Sequence, residues 1–494
     1  MRFSFLLLAA VMAWPAAARA ASERPNIVWI FAEDQSDHYG PFQASLAKTP
    51  NIDRMALDGA KFTRAFVTAP VCSPSRSALI TGMYQTTIGA HNHRSGRGSL
   101  RIRLPGAVEP VPAILRRAGY YVTNGRFGRD GSLAAGKRDY NFEHAADLYD
   151  GADWAGRASG QPFFAQIQLR GGKFRDQRTL SPAKGVQTNG IDPARVKLPP
   201  YYPDHPQIRK DWAQYLESIE HVDWEVGQIL ERLEREGSAA NTVVFFLTDH
   251  GVSHARGKQF LSEEGTRVPL VVRAPGRIEP GLVREDLVAH IDVTASSLAF
   301  AGIDIPDWME GRPLFGPDAE PRDYVVSARD RCDETVDVMR SVRTERFRYI
   351  RNFVPERPHL QPNRYKDSKA VIQTLHQLRD SGKLSQELEA MFYGERPEEE
   401  LYDLREDPWQ MRNLAGDPSH KATLAKLRST LAAWIEQTGD RGQVIEDAAT
   451  YGADMAVYLK GQKGEQGEIL KRNIADTEAW RKSRGAPGAI RNRQ

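Results

Sequence analysis

Cys72 lies in the stretch VCSPSRSALITGMY, residues 71–84, and is one of only two cysteines in a chain of 494 residues. Pro74 and Ser75 suit the first turn of a helix that runs through Arg76, Ser77, Ala78, Leu79 and Ile80 to a stop at Gly82. Residue 72 then sits at a helix N-terminus, where unpaired N–H groups and the helix dipole favour an anion, and Arg76 adds a planar, permanently charged donor set. An anionic substrate group could be held there. A thiolate would be stabilised at the same place, so the residues also allow a cysteine nucleophile or a buried structural thiol.

Two other clusters carry ligand chemistry. RPNIVWIFAEDQ runs through the apolar Ile27–Ala32 into Glu33 and Asp34, and NTVVFFLTDHG repeats the layout with Val243–Leu247 followed by Asp249 and His250. Continuous apolarity ending in a polar cluster predicts strands buried on both faces, and sites in open α/β sheets form at the carboxyl ends of such strands. Three converging carboxylates repel one another unless a hard cation lies between them, and oxygen ligands favour calcium or magnesium over zinc. A single acid after a strand is an ordinary helix cap. Doubled polar ligands at two strand ends favour the metal.

These side chains need a scaffold, and the flanking pattern supplies one. Trp212, Tyr215, Leu216, Ile219, Val222, Val226, Ile229, Leu230 and Leu233 follow helical spacing up to Gly237, immediately before the second buried strand. TPNIDRMALDG and PVPAILRRAGYYVTNG add a helix and a helix–strand unit, and QPFFAQIQL and VPLVVRAPG add strands, so the class is α/β. After MEGRPLFGPDAEPRDY the pattern shifts to shorter strand-like pieces, which predicts a catalytic α/β domain over 21–320 and a smaller α+β subdomain over 321–494. Residues 1–20, with Arg2, an apolar run from Phe3 to Trp14 and Ala18-Arg19-Ala20, have the layout of a secretory signal. Its removal takes away Arg2 and Arg19 and no acid, lowering the formal charge from +3 to +1. The expectation is an exported, soluble chain, periplasmic or secreted, with no electrostatic case for nucleic acid. In an oxidising compartment Cys72 and Cys332 allow either one bridge or two buried thiols.

CSPSRSALITG resembles the signature of the formylglycine-dependent sulfatases of the alkaline phosphatase superfamily, and RPNIVWIFAEDQ, TPNIDRMALDGAKF, TDHG, GTRVPLVVRAPG and ELYDLREDPWQMRNLAG are similar to sulfatase segments in the same order. GAHNHRSG, DYNF and ARDRCDETVDVMRSVR look like the branch holding heparan N-sulfatase-like and bacterial polysaccharide sulfatases. The resemblance implies a large mixed sheet sandwiched by helices, with a C-terminal antiparallel sheet and helices. It implies an exported sulfatase acting on sulfate esters of a carbohydrate. Cys72 would be converted by a formylglycine-generating enzyme to an aldehyde, whose hydrate attacks sulfur with one hydroxyl and expels sulfate with the other. Calcium, or magnesium, would be held by Glu33, Asp34, Asp249, His250 and the diol at 72, with Arg76 holding the diol and Lys258 the sulfate.

The chain also departs from that family. Glu33 replaces the usual aspartate, and His250 stands where many members have asparagine. The common Gly-Lys-x-His segment is not intact in TNGRFGRDGSLAAGKRDYNF; Lys137 is the preferred match over Arg126, and neither brings a histidine, so His91 is the candidate for proton transfer by proximity to the loop. Lys173, in FFAQIQLRGGKFRD, replaces a histidine that protonates the leaving group; it could donate a proton through a lowered pKa or remain a sulfate-binding cation. Arg329, Asp330, Arg331 and Asp333 form a charged run that reads equally as substrate contacts or as a solvated, salt-bridged loop. Competing functions are a phosphonate or phosphodiester hydrolase of the same superfamily, a thiol-nucleophile enzyme, and a degenerate sulfatase that binds sulfated glycan.

Overall fold

The main sheet is made of Asn26–Ala32 (β1), Ala60–Phe62 (β2), Tyr121–Phe127 (β3), Leu133–Ala135 (β4), Phe163–Gln168 (β5), Thr242–Thr248 (β6), Leu270–Arg273 (β7) and Leu282–Arg284 (β8). The computed structural model describes residues 24–43, 45–128, 130–173, 175, 190–441 and 444–484, and the signal expected at 1–20 lies outside them. Spatial order is β8-β2-β7-β6-β1-β5-β3-β4. Strand β1 is parallel to β5 and β6, and β3 is parallel to β5, whereas β7 runs antiparallel to β6 and β2, so the sheet is mixed.

Alternate residues of the central strands bury opposite faces, which is why these strands read as continuous apolar runs. Val28, Ile30, Ala165, Ile167, Val244 and Phe246 pack on one side; Ile27, Trp29, Phe31, Phe164, Val243 and Phe245 pack on the other. Each such large side chain contributes about 1.5–3 kcal/mol of burial. Helices Cys72–Thr81 (α1), Pro206–Arg235 (α2) and Asp292–Phe300 (α3) supply the layers. The apolar stripe of α2 lies on the first face, while Leu79 and Ile80 of α1 and Val293 and Leu298 of α3 lie on the second. The indole N–H of Trp29 donates to Ser297 Oγ at 2.9 Å, so the one polar atom of that large core side chain is satisfied.

A second, four-stranded antiparallel sheet follows: Val325–Arg329 (β9), Met339–Arg343 (β10), Phe347–Asn352 (β11) and Glu399–Asp403 (β12). One face meets Lys421–Thr438 (α4) through Val326, Val342, Tyr349 and Leu401 against Leu424, Leu427, Leu431 and Trp434. The other face buries Met339, Ile350 and Tyr402 with Leu261 and carries two arginines beside them. Arg343 and Arg348 both pair with Glu263, at 2.8 and 2.6 Å, and so anchor the segment after Lys258 to this sheet. Helices Ala448–Lys460 (α5) and Gly464–Ser483 (α6) pack together beyond α4.

Register fixes the site. Asn26 lies opposite Thr242 and Ala32 opposite Thr248, so β1 and β6 end level and deliver Glu33 and Asp249 side by side. The Asp249 N–H donates to the Ala32 carbonyl at 3.1 Å. Strand β5 ends one residue earlier on the other side, with Gln168 opposite Phe31; beyond it Leu169 N–H donates to the Phe31 carbonyl at 2.9 Å and Gly172 N–H to the Glu33 carbonyl at 2.7 Å. Helix α1 begins at Cys72 and stops at Gly82, which is left-handed at φ 70°. Cys72 and Cys332 are both buried free thiols, which resolves the bridge-or-thiol alternative.

Gly171 adopts φ 64°, and a Cβ there would lie 2.0 Å from the Glu33 carbonyl oxygen. Gly171→Ala is expected to cost about 2–3 kcal/mol through backbone strain and a displaced 33–34 loop, measured as a lowered thermal midpoint accompanied by loss of activity.

Candidate active site

At the level ends of β1 and β6, Asp34 turns back with φ 55° and is fully buried, and its N–H donates to Asp249 Oδ1 at 3.0 Å. Ligand atoms of Asp34, Cys72, Asp249 and His250 all lie within 4.8 Å of one another. The His250 Nδ1–H has the Gly251 carbonyl as acceptor at 2.9 Å, a tautomer assigned from this bond, which aims the Nε2 lone pair into the group. Nε2 is 3.5 Å from Asp34 Oδ1 and 3.6 Å from Asp249 Oδ1. Burial pushes the Asp249 carboxyl up, and the imidazole of His250, although burial lowers it, is raised by Asp249, Cys72 and Asp34. Two carboxylates and an imidazole that together attract positive charge form a donor set that fits one divalent cation.

Glu33, which the resemblance makes a ligand, is not among these mutually close ligand atoms. Its extra methylene carries the carboxylate to the surrounding cations: Oε1 accepts from Arg76 Nη2 at 2.8 Å and Oε2 from Lys173 Nζ at 2.5 Å, with Lys137 Nζ 3.6 Å away. Burial raises this carboxyl, but Lys173, Lys137 and Arg76 outweigh it and hold it below its ordinary value.

Cations also surround residue 72. Lys258 Nζ is 3.1 Å and Lys173 Nζ 3.8 Å from Cys72 Sγ, and His250 Nε2 is 3.2 Å away. Burial pushes the thiol up; Lys173, Lys258 and Lys137 override it and hold it well below the ordinary range. Lys173 itself is lowered by burial but raised more by Cys72, Glu33 and Asp34, which favours the cation of the two readings over the proton donor. Arg76 lies with its guanidinium 4.7 Å over Phe31 and shares Nη2 between Glu33 and Asp249, while its buried Nε and Nη1 have no hydrogen-bond partner among the described residues. All ten residues of α1 are buried, Ser73, Ser75, Arg76 and Ser77 included, and Ser75 Oγ donates to the Asp249 carbonyl at 2.6 Å. A buried polar helix is costly unless each group is used.

Other expected residues fall elsewhere. His91 is pushed down to about 4 by burial and by Arg340, lies among the charges of Asp440, Glu446 and Arg331, and makes no described contact with Cys72. Arg329 pairs with Asp337 at 2.9 Å, Asp330 with Arg340 at 3.1 Å, and Arg331 with Glu446 and Asp454 at 2.7 and 2.8 Å, all buried. This part of the run is salt-bridged but not solvated, and it ties the C-terminal sheet and helices together rather than offering free contacts. Asp333 differs: it meets His93 Nδ1 at 3.2 Å and Arg94 Nε at 2.7 Å. Lys137 is 2.9 Å from Asp139. Tyr365 was not legible beforehand: from 331 positions away its hydroxyl donates to Asp34 Oδ2 at 2.8 Å, and Lys258 and Lys369 each place Nζ 4.6 Å from its ring.

Residues 25–303 match the family model Sulfatase, and residues 250–390 match the model N-sulphoglucosamine sulphohydrolase, C-terminal. An ulvan-active sulfatase of Formosa agariphila is 32% identical over 470 residues, covering 86% of this chain and 77% of that protein. The N-sulphoglucosamine sulphohydrolase of Homo sapiens is 26% identical over 466 residues, covering 84% and 90%. Among solved structures, a 2-O GAG sulfatase superposes with TM-score 0.61 at 19% identity, over 87% of this chain and 96% of its own. A phosphonate monoester hydrolase of Agrobacterium radiobacter gives TM-score 0.61 at 17% identity, over 84% and 96%. At these identities the two structures share the fold.

Removing the hydroxyl that orients Asp34 is expected to weaken divalent-cation affinity about tenfold in Tyr365→Phe, read from the calcium concentration that raises the melting temperature. In protein whose Cys72 is unmodified and whose metal is chelated, thiolate ultraviolet absorbance should persist well below the free-thiol value of about 8.5 and vanish in Cys72→Ala.

Proposed function

The chain belongs to the sulfatase family and is a sulfuric ester hydrolase, and on that premise we propose that it is an exported enzyme that removes sulfate from a sulfated polysaccharide. The observation that carries the proposal is the meeting of Cys72 with two lysines and with the Asp34, Asp249 and His250 donor set. Cys72 Sγ stands where the oxygens of a hydrated aldehyde would lie after oxidation by a formylglycine-generating enzyme. Residues 21–320 form the catalytic domain and 321–494 the accessory subdomain in this reading.

Asp34, Asp249 and His250, with an oxygen at residue 72, would hold calcium, or magnesium in its place. Such a cation, when bound, polarises a sulfate oxygen and lowers the pKa of the nucleophile. The remaining roles belong to the chain's own groups. Lys258 and Lys173 set two ammonium charges against the sulfate oxygens, in a dry setting where such charges act strongly. The N-terminus of α1 adds its N–H groups to the same anion. Arg76, with Nε and Nη1 unpaired, is poised to hold the side chain at 72 in one orientation. Glu33 keeps Lys173 and Arg76 in place through bonds of 2.5 and 2.8 Å. Lys173 acts as an oxyanion-binding cation. The carbohydrate assignment is supported by the relatives named ulvan-active sulfatase and N-sulphoglucosamine sulphohydrolase.

Protein made in a host with the oxidising enzyme should release inorganic sulfate from sulfated polysaccharide oligosaccharides faster than phosphate from matched phosphate esters, and its residue-72 peptide should carry the aldehyde mass. Cys72→Ala should lose more than about a thousandfold in rate, and Lys258→Ala about a hundredfold to a thousandfold. Chelation should abolish turnover and calcium restore it. An active preparation whose residue 72 is still a thiol overturns the proposal.

A further inference from the structure

The loop after α1 presents a cation that the sulfate group does not need. Arg94 N–H donates to Ser73 Oγ at 3.1 Å, one residue beyond Cys72. The loop is held from several directions. His93 N–H donates to the Arg331 carbonyl at 2.8 Å, Asn141 Nδ2 donates to the carbonyls of Ala90 and Asn92 at 2.8 Å each, and Asp454 Oδ1 accepts from the N–H of Arg97 and Gly98 at 3.1 and 2.7 Å. A Cβ on Gly98 would lie 2.6 Å from the Ala453 carbonyl carbon, so loop and α5 are in closest contact there. A cation on such a loop is preorganised.

Arg94 adopts φ 61° and stacks its guanidinium 4.9 Å from the centroid of Tyr458, a ring that Arg364 also approaches at 5.3 Å while donating from Nη2 to the Tyr458 hydroxyl at 2.6 Å. The Arg94 side chain is 37% exposed, and no described residue accepts a hydrogen bond from its terminal nitrogens. The groups facing it do not neutralise it. Asp333 is shared with His93, which burial lowers but Asp333 and Cys332 raise to about 10, so His93 is itself cationic near neutral pH. Glu334 is pushed up to about 7 by burial and Asp333. Asp139, which burial raises but Lys137, His93 and Arg97 hold well below its ordinary value, also faces Arg94, so Arg94, Arg364, His93, Arg97 and Lys137 share two firmly charged carboxylates, Asp333 and Asp139, and positive charge stays in excess.

Building on the sulfatase reading, we infer that Arg94, backed by Tyr458 and Arg364, binds a second anionic group of the glycan, a uronate carboxylate or an additional sulfate, beside the sulfate that is cleaved. Arg94 is then a specificity-determining residue that selects doubly anionic sugar units. Its guanidinium matches the two-oxygen edge of either group.

The test measures binding and needs no turnover. Full-length Cys72→Ala protein is titrated calorimetrically with a sulfated, uronate-containing heparin disaccharide and its carboxyl-reduced form, and with glucosamine 2-N,6-O-disulfate and glucosamine 6-sulfate. The parent should bind the doubly anionic member of at least one pair about tenfold or more tightly. Adding Arg94→Ala should erase that difference, while Arg94→Lys should retain part of it and serves if the alanine variant fails to fold. The pair that discriminates identifies carboxylate or sulfate as the second anion. Absence of discrimination by the parent in both pairs, absence of binding included, overturns the inference, as does an equal loss for both members of a pair in Arg94→Ala. Failure of the sulfatase reading is seen separately, as no sulfate release by oxidised wild-type protein.

Discussion

Two buried carboxylates at the level ends of adjacent parallel strands are the constraint to which the rest of the site responds. Like charges held this close in a dry setting cannot both persist without compensation. The chain answers with Lys258 on Asp34, Arg76 on Asp249, and His250 between them. Arg76 comes from α1 and both Lys258 and His250 from the segment after β6, so the charge balance also fixes how the nucleophile helix, that segment and the β1 turn sit relative to one another. The structural and chemical roles of these groups are inseparable: a pair that binds an anion or cation during turnover is also what makes burial of the acids tolerable.

The C-terminal sheet extends the same logic. One face packs aliphatics on α4 and also carries Arg340, paired with Asp330; the other face pairs Arg343 and Arg348 with Glu263, and Tyr365 from the following segment reaches Asp34. Breaking a buried ion pair costs more than a neutral contact of the same size, because the survivor is left uncompensated. The smaller sheet is therefore coupled to the site electrostatically as well as by packing.

Much of this was legible in the chain itself. Ile27–Ala32 and Val243–Leu247 announce central strands because both faces are buried, and Pro74 and Gly82 bracket α1 because each has a fixed backbone preference. The convergence of Asp34, Asp249 and His250 follows from parallel strands ending level. What was not legible has specific causes. One methylene sends Glu33 to the cations, a difference that only geometry decides. The run Arg329 to Arg331 looks the same in sequence whether its partners are water or Asp337, Glu446 and Asp454. His91 and His93 differ by two positions, yet only His93 faces Asp333. Tyr365 and the Arg94–Tyr458 stack depend on partners hundreds of residues apart, for which no local pattern exists.

Cys72 is only 3% exposed, and no residue of its helix reaches solvent freely. Once the layers have closed around that segment, a catalyst of protein size has no route to the sulfur. In the maturation proposed above, enzymatic oxidation of this atom would belong to the interval when the strip between β2 and β3 is still an open, extended peptide. On that proposal the burial of ten residues sets the order, covalent change first and collapse second.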